Sequence, residues 1–209
     1  MKPIFVSIPP PDRAHWLRFK CSSLAGLALR LAGWQIDWHG LPQARGVILA
    51  YPHTSNWDFM VGILVKWAVG VPIRFWAKEG LFTGVARYTL GPWMRYVGAI
   101  RIDRGASNGM IANTVAEMQR SEFAWLALAP EGTRKYATHW RSGFYRVAVQ
   151  AQLPLGLAYF DFKNKVLGVT EFIELTGDEA LDLARIRSYY ALHAHGYTPA
   201  NASPIVFKP

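Results

Sequence analysis

The sequence predicts an α/β fold: a single domain with one mixed, mostly parallel sheet flanked by helices. Short runs typical of buried strands alternate with helical patterns along most of the chain, and this alternation indicates a sheet with helices on both faces. Hydrophobic residues make up 51% of the 209 residues and charged residues 18%, which excludes a disordered or acidic solvating protein. A chain of this length is expected to form one domain with one substantial core.

The first predicted element is a helix over residues 14–34, which follows a proline-containing tail. Its apolar residues recur at steps of three and four, with basic residues between them. This pattern fits an ordinary helix packed on the core, and it also fits a helix that lies at a membrane interface with basic and aromatic anchors. We therefore expect residues 1–40 to form a tail and a possible membrane-surface helix, and residues 41–209 to form the main domain.

The remaining elements follow in alternation. Six strands are predicted, at residues 46–51, 73–77, 99–102, 124–129, 155–160 and 166–172. Helices are predicted at residues 56–70, 81–96, 107–122 and 144–152, followed by a last helix that ends at Tyr190. Pro52 ends the first strand, and Ser55 or Asn56 is expected to cap the helix that follows. Residues 176–179 read as a capping box that opens the last helix.

Charge and composition point to an anionic partner. The chain has 23 basic and 14 acidic residues, a formal net charge of +9, and nine Trp. Trp is typical of membrane interfaces, so the composition favours an anionic membrane surface over nucleic acid. No apolar stretch is long enough to span a bilayer and the first residues do not fit a signal peptide, so we expect a cytoplasmic protein associated peripherally with the inner face of the cell membrane. The one cysteine, Cys21, excludes an intramolecular disulfide and a cysteine-based zinc site.

One polar cluster lies between the first predicted strand and the next helix, where His53 and Asp58 are separated by four residues. Because the segment enters the helix rather than lying within it, His53 can fold back toward Asp58. A carboxylate fixes the tautomer of an imidazole and stabilises its cation, which leaves the other ring nitrogen as a general base. The same spacing also fits a capping segment with a structural histidine.

Two further clusters follow predicted strands. In the first, Arg101 and Asp103 point to one side of a strand and Arg104 leaves its end, an arrangement that suits phosphate binding or a surface ion pair. In the second, residues 130–134 read Pro-Glu-Gly-Thr-Arg directly after a buried strand, which fits either a site where the backbone approaches a ligand closely or a plain turn. Further positive charge lies nearby, at Lys135, Arg141 and Arg146.

Taken in order, the three clusters resemble the motifs of the PlsC-like glycerolipid acyltransferase family, the lysophospholipid acyltransferases. Lys78 and the segment 141–144, Arg-Ser-Gly-Phe, also match that family's pattern, and the resemblance runs from Val47 to Tyr159. A lone H-x4-D motif is weak, whereas the ordered set is specific. The resemblance implies a glycerol-3-phosphate acyltransferase-like fold. The family's fourth motif corresponds to residues 153–157, where Gly156 replaces the second proline.

The resemblance also implies roles for the motif residues. His53 is then the catalytic base, Asp58 is its orienting acid, and Arg104 binds the phosphate of the acceptor. Substrate binding is further implied for Lys78, Glu131, Gly132, Thr133 and Arg134.

The implied reaction needs no metal, no cofactor and no covalent enzyme intermediate. His53 removes the proton from an acceptor hydroxyl as that oxygen attacks an acyl thioester, which is acyl-CoA or acyl carrier protein, and backbone donors at the start of the following helix are candidates to hold the oxyanion. A lysophosphatidate-like lipid is the expected acceptor. Two alternatives remain: an acyltransferase of the same fold with a non-glycerolipid acceptor, and a basic membrane-binding module without catalysis.

Overall fold

The structure, a computed structural model, describes residues 21–102 and 107–208. The seven strands within these residues are β1 (Gln35–Trp38), β2 (Arg45–Tyr51), β3 (Arg74–Lys78), β4 (Ala99–Ile102), β5 (Ala124–Leu128), β6 (Leu155–Asp161) and β7 (Val166–Ile173). The six α-helices are α1 (Ser23–Leu31), α2 (Asn56–Val69), α3 (Leu90–Tyr96), α4 (Ser107–Arg120), α5 (Gly143–Ala151) and α6 (Glu179–His193). Two short 3₁₀ helices, Glu79–Phe82 and Gly84–Arg87, lie between β3 and α3.

The strands form one sheet in the order β1-β7-β6-β2-β5-β3-β4. Every neighbouring pair is parallel except β6 and β7, which are antiparallel. The predicted mixed, mostly parallel α/β fold is therefore confirmed. Because β2, β5, β3 and β4 run in the same direction, their carboxyl ends share one edge of the sheet, and the residues that follow β2 and β5 meet there.

Alternation of side chains along β2 divides the core between the two faces of the sheet. Val47 and Leu49 are fully buried against side chains from α4, α5 and α6. Ile48 faces the opposite side, where α1 and α2 pack on the sheet through a cluster that contains Leu29 and Val61. The helix layers thus cover both faces, as the alternating pattern predicts. Among the described residues, no helix has the length and hydropathy needed to cross a membrane.

Two features of the N-terminal region differ from the sequence prediction. The predicted helix over 14–34 is seen as α1, which ends at Leu31, while residues 14–20 lie outside the described part of the chain. β1 was not predicted, because it has only four residues, carries Asp37 in its centre and pairs on one side alone, with β7. The division at residue 40 stays a prediction, although β1 places residues 35–38 in the sheet.

Two predicted helices begin or continue differently. The helical stretch predicted over 81–96 is divided into three parts: Gly84 has φ of +56°, a conformation outside the helical region, and the segment forms the two 3₁₀ helices and then α3. The predicted capping box from Thr176 is wrong, since Asp178 is the N-cap of α6 and accepts from the amides of Ala180 and Leu181. The Thr176 hydroxyl instead donates to Asp182.

Candidate active site

His53 and Asp58 lie together at the carboxyl end of β2. Ser55 is the N-cap of α2, and Asp58 completes a capping box with it, so the chain turns sharply between β2 and the helix. This turn brings His53 Nδ1 to 3.2 Å from Asp58 Oδ2. The His53 side chain is 20% exposed and that of Asp58 is fully buried. The contact occupies Nδ1, and His53 lines the large cleft described below.

The Asp58 carboxylate receives all its contacts on one oxygen. The amides of Thr54 and Ser55 donate to Oδ2 over 2.6 and 2.8 Å, and His53 meets the same atom. Oδ1 is buried and makes no hydrogen bond with any described residue. Since the Trp57 amide donates to the Ser55 hydroxyl, three amides at the start of α2 already have acceptors. The expectation that donors here hold an oxyanion therefore does not extend to those three.

Glu131 anchors the other side of the His53 loop. Its side chain is 2% exposed, and its two carboxylate oxygens accept from the backbone amides of His53 and Ser203. Burial raises the pKa of the Glu131 carboxyl above its ordinary value, while the hydrogen bonds from Ser203 and His53 act in the opposite direction. The carboxylate is thus committed to holding two backbone segments, and its implied contact with an acceptor stays a prediction.

Ser203 belongs to a C-terminal segment that closes this network. It is fully buried, its hydroxyl accepts from the Ala137 amide, and its carbonyl accepts from the Tyr51 hydroxyl. Burial and the nearby Glu131 carboxylate raise the pKa of Tyr51 to about 12, so this hydroxyl stays a donor. Sequence reasoning missed both Ser203 and Tyr51, because these contacts join residues that are distant in the chain.

A cleft of about 1770 Å³ opens beside His53. Its interior is mainly apolar and is formed by α2, the sheet and the segment between β3 and α3. Lining residues include Ala50, Gly62, Ile63, Phe75, Trp93 and Phe160. Sites for one small ligand usually measure about 300–1,000 Å³, so this cleft has room for more than one substrate, including long apolar chains.

Basic side chains gather along the same cleft. Those of Lys78, Arg134, Lys135, Arg141 and Arg146 line it and are exposed. None of them forms an ion pair with a carboxylate of the described residues, whereas Arg101 lies 3.6 Å from Glu79. Asp103 and Arg104 lie outside the described residues. The rim therefore offers several cations to an anionic ligand.

Gly132 and Thr133 shape the turn that carries Arg134. Gly132 has φ of +63°, a conformation that favours glycine, and a Cβ there would come within 2.6 Å of Arg141 Nε, so a larger residue would also displace the Arg141 side chain. The Thr133 hydroxyl accepts from the Lys135 amide over 3.2 Å. The turn after β5 thus packs closely under the Arg141 side chain.

Replacing Glu131 with Gln is expected to lower the free energy of unfolding by about 1–3 kcal/mol, because a Gln side chain can accept from only one of the two amides. The loss should also depend on pH. Since the folded-state pKa is raised, the native carboxyl binds a proton more tightly than the unfolded chain does. Its contribution to stability is fully present below the ordinary value of 4.5 and is lost as pH rises through the folded-state pKa.

Thermal unfolding of both proteins between about pH 4 and pH 8 checks this prediction, with the exposed Glu122→Gln as the control. The Tm of the wild type should be higher than that of Glu131→Gln, and this difference should be larger at acid pH than at neutral pH. A gap that widens as pH rises contradicts the raised pKa, and no gap at any pH contradicts the anchoring role.

The chain is similar to known acyltransferases. A family model described as Acyltransferase matches residues 35–156. Among solved structures, the chain is similar to the 1-acyl-sn-glycerophosphate (LPA) acyltransferase PlsC from Thermotoga maritima, with 14% identity and a TM-score of 0.53, over 79% of this chain and 73% of that one. No curated protein matches the chain. At this sequence identity, the structural similarity shows that the two proteins share a fold.

Proposed function

Because the chain belongs to the acyltransferase family, we propose that it transfers a fatty acyl group from acyl-CoA or acyl carrier protein to a hydroxyl of a lysophosphatidate-like acceptor. The observation that carries this proposal is that His53 lines one cleft together with many apolar side chains and with the basic side chains of the rim. An acyl chain suits the interior, and a phosphate suits the rim. The similar Thermotoga maritima protein PlsC is a 1-acyl-sn-glycerophosphate acyltransferase, which supports the same acceptor class.

In the proposed reaction, His53 is the general base. Asp58 holds Nδ1, so Nε2 is the atom that accepts the proton of the acceptor hydroxyl. As the proton leaves, the hydroxyl oxygen attacks the carbonyl carbon of the thioester. The tetrahedral intermediate then collapses, the carbon–sulfur bond breaks, and the imidazolium returns its proton to the leaving thiolate. The buried Asp58 carboxylate stabilises the imidazolium between these steps. General base catalysis of this kind contributes about 10²–10⁴-fold to the rate.

Acceptor binding is assigned to the cationic rim. Lys78 is the last residue of β3 and Arg134 lies in the turn that follows β5, and both line the cleft. The carboxyl ends of these two parallel strands share the edge of the sheet that holds His53. Arg104, which follows β4 in the chain, completes the proposed phosphate site together with the Gly132–Thr133 turn. Metal ions have no role in this scheme, because the charge of the phosphate is met by guanidinium and ammonium groups.

Replacing Arg104 with Ala is expected to raise the acceptor KM, or to lower kcat/KM for the acceptor, by about ten- to a hundredfold, because a hydrogen bond to a charged group contributes about 1.5–3 kcal/mol. The KM of the acyl donor should change little. Arg101→Ala is the matched control, since Arg101 lies in the same motif but pairs with Glu79. For monoacylglycerol, which lacks the phosphate, Arg104→Ala should leave kcat/KM unchanged. If the wild type has the same kcat/KM for monoacylglycerol and for lysophosphatidate, the phosphate site is contradicted.

Purified protein tests the function directly. Acyl-CoA or acyl carrier protein is supplied with lysophosphatidate, and both the free thiol and the diacyl product are measured. Acceptor-dependent thiol release with phosphatidate formation supports the proposal. Thiol release without phosphatidate favours an acceptor outside the glycerolipids, which lipid extracts of cells with and without the protein then identify. No release with either donor favours a non-catalytic binding module.

We further propose that the protein lies peripherally on the inner face of the cell membrane, with α1 in contact with lipid. Ala25 and Leu29 of α1 are buried against α2 and the sheet, whereas Leu24, Leu27 and Leu31 are exposed. An exposed leucine face beside basic residues is typical of interfacial helices. In this proposal residues 1–40 contain the membrane-contacting helix and residues 41–209 form the main part of the acyltransferase domain, whose sheet β1 joins from the first segment.

A further inference from the structure

We propose that the segment between β3 and β4 is a second membrane contact, an apolar lip that touches an anionic lipid bilayer at the mouth of the cleft. The lip is defined as residues 80–97, which contain most of the first 3₁₀ helix, all of the second and α3. The proposed function explains why a bilayer contact is useful at this mouth, and the proposal rests on it only in that respect. The exposure, charge and position of the lip support the contact itself.

The lip has one face toward the cleft and another toward solvent. Leu81, Leu90, Trp93 and Met94 line the cleft, and Trp93 packs on Phe59 of α2 with ring centroids 5.8 Å apart. On the outside, Val85, Tyr88 and Tyr96 are 81%, 79% and 80% exposed. Three large apolar or aromatic side chains so fully exposed on one short segment indicate an interaction surface.

The charge of the lip identifies the partner of this surface as lipid. The lip contains two basic residues, Arg87 and Arg95, and no acidic residue. The Arg87 guanidinium lies 5.6 Å from the centre of the Tyr88 ring, and that of Arg95 lies 5.5 Å from the Phe82 ring. Tyr and Trp beside arginines are the typical residues of the membrane–water interface, and each basic residue near an anionic leaflet adds to the attraction. A purely apolar protein partner gives no reason for this uniform positive charge.

The lip and α1 both contact the last turns of the same helix, α2. Lys66 of α2 donates to the carbonyl of Val97 at the end of α3, and the α1 side of α2 is marked by the Ser22 amide, which donates to the carbonyl of Trp67. Both contacts use the last turns of α2, with α1 and the lip as its neighbours. Because the lip also forms a wall of the cleft, an acyl chain can pass from the bilayer into the cleft along Leu90 and Trp93 without crossing water.

The test measures binding to vesicles of phosphatidylcholine, with and without added phosphatidylglycerol, by co-sedimentation. The lip variant carries Val85→Glu and Tyr96→Glu, and the matched control is Leu192→Glu, at a leucine of α6 that is 76% exposed outside the lip. We expect the lip variant to bind the anionic vesicles at least tenfold more weakly than the wild type, because it loses two interfacial side chains and gains two negative charges. The control should bind like the wild type.

A second measurement does not depend on these charges. In a Cys21→Ser background, an environment-sensitive dye on Tyr88→Cys should shift to the blue on anionic vesicles, whereas the same dye on Leu192→Cys should not. Unchanged vesicle binding by the lip variant, or an unshifted dye at position 88, overturns the proposal. Equal loss of binding by the lip variant and the control overturns it as well, and so does a dye shift that needs only a second copy of the protein and no lipid.

These outcomes are separate from those of the proposed function. If the protein binds vesicles through the lip but forms no phosphatidate, the lip proposal stands and the proposed function fails. With a short-chain acceptor below its critical micelle concentration, the lip variant should retain the wild-type kcat/KM, while with acceptor in vesicles its kcat/KM should fall at least tenfold. A fall of the same size with both acceptors means that the lip acts on the cleft itself and overturns the membrane role.

Discussion

Replacing His53 with Ala is expected to lower kcat for acyl transfer by at least about 10²-fold, because the reaction loses its general base. The fold should stay intact, since the one polar contact described for the His53 side chain is with Asp58, and Asp58 keeps its hydrogen bonds from the amides of Thr54 and Ser55. Single-turnover kinetics and a circular dichroism melt on the same preparation check both statements. Added imidazole should restore part of the rate, since the cleft beside position 53 is open.

The chain supplies a matched control for this variant. His195 Nδ1 lies 3.2 Å from Asp161 Oδ1, the same separation as in the His53 pair, but His195 lines a different and smaller cavity. His195→Ala should therefore keep kcat within a few-fold of the wild type. Activity of His53→Ala within tenfold of the wild type, at an unchanged Tm, would falsify the assignment of the base.

Replacing Asp58 with Asn is expected to lower kcat by about 10²-fold with little change in the acceptor KM. Because three donors meet Oδ2, the carbonyl oxygen of Asn can take that position and preserve the loop and the imidazole tautomer. What is lost is the negative charge that stabilises the imidazolium. The loss is expected to be smaller than the roughly 10⁴-fold seen when such a substitution also imposes the wrong tautomer.

Stability separates this charge effect from damage to the helix start. The new amide nitrogen takes the place of Oδ1, which has no partner among the described residues, so we expect Asn to lower the free energy of unfolding by about 1–3 kcal/mol. Ser55→Ala is the control, because it removes the N-cap acceptor for the Trp57 amide at about 1 kcal/mol and leaves the Asp58 charge in place. If Ser55→Ala loses as much kcat as Asp58→Asn, the charge is not the cause.

Much of the fold can be predicted from local patterns. The six predicted strands are found within one residue of their bounds, because each is a short apolar run that ends at Gly, Pro or a polar residue. The start of α2 follows from Ser55 and Asp58 in the same way, and it explains why four residues of spacing suffice to bring His53 back to a carboxylate. Local chemistry, here a capping box, carries that part of the site.

The rest depends on contacts between distant parts of the chain. Glu131 joins His53 to Ser203 across 78 and 72 residues, and no periodicity or motif encodes such a pairing. One signal was present: Glu131 follows an apolar strand by three residues, and a carboxylate that is buried at such a place needs hydrogen-bond donors. The identity of those donors emerges only when the C-terminal segment lies against the turn after β5.

The contact between Glu131 and Ser203 also sets an order of events during translation. His53 and Asp58 leave the ribosome early and can pair as soon as α2 forms, but the Glu131 carboxylate has to wait for Ser203, which is synthesised 72 residues later. At 5–20 residues per second this wait lasts roughly 4–14 s. A nascent chain in this interval has its base but not the second anchor of the His53 loop. The second anchor of the His53 loop therefore becomes available only after synthesis has passed residue 203.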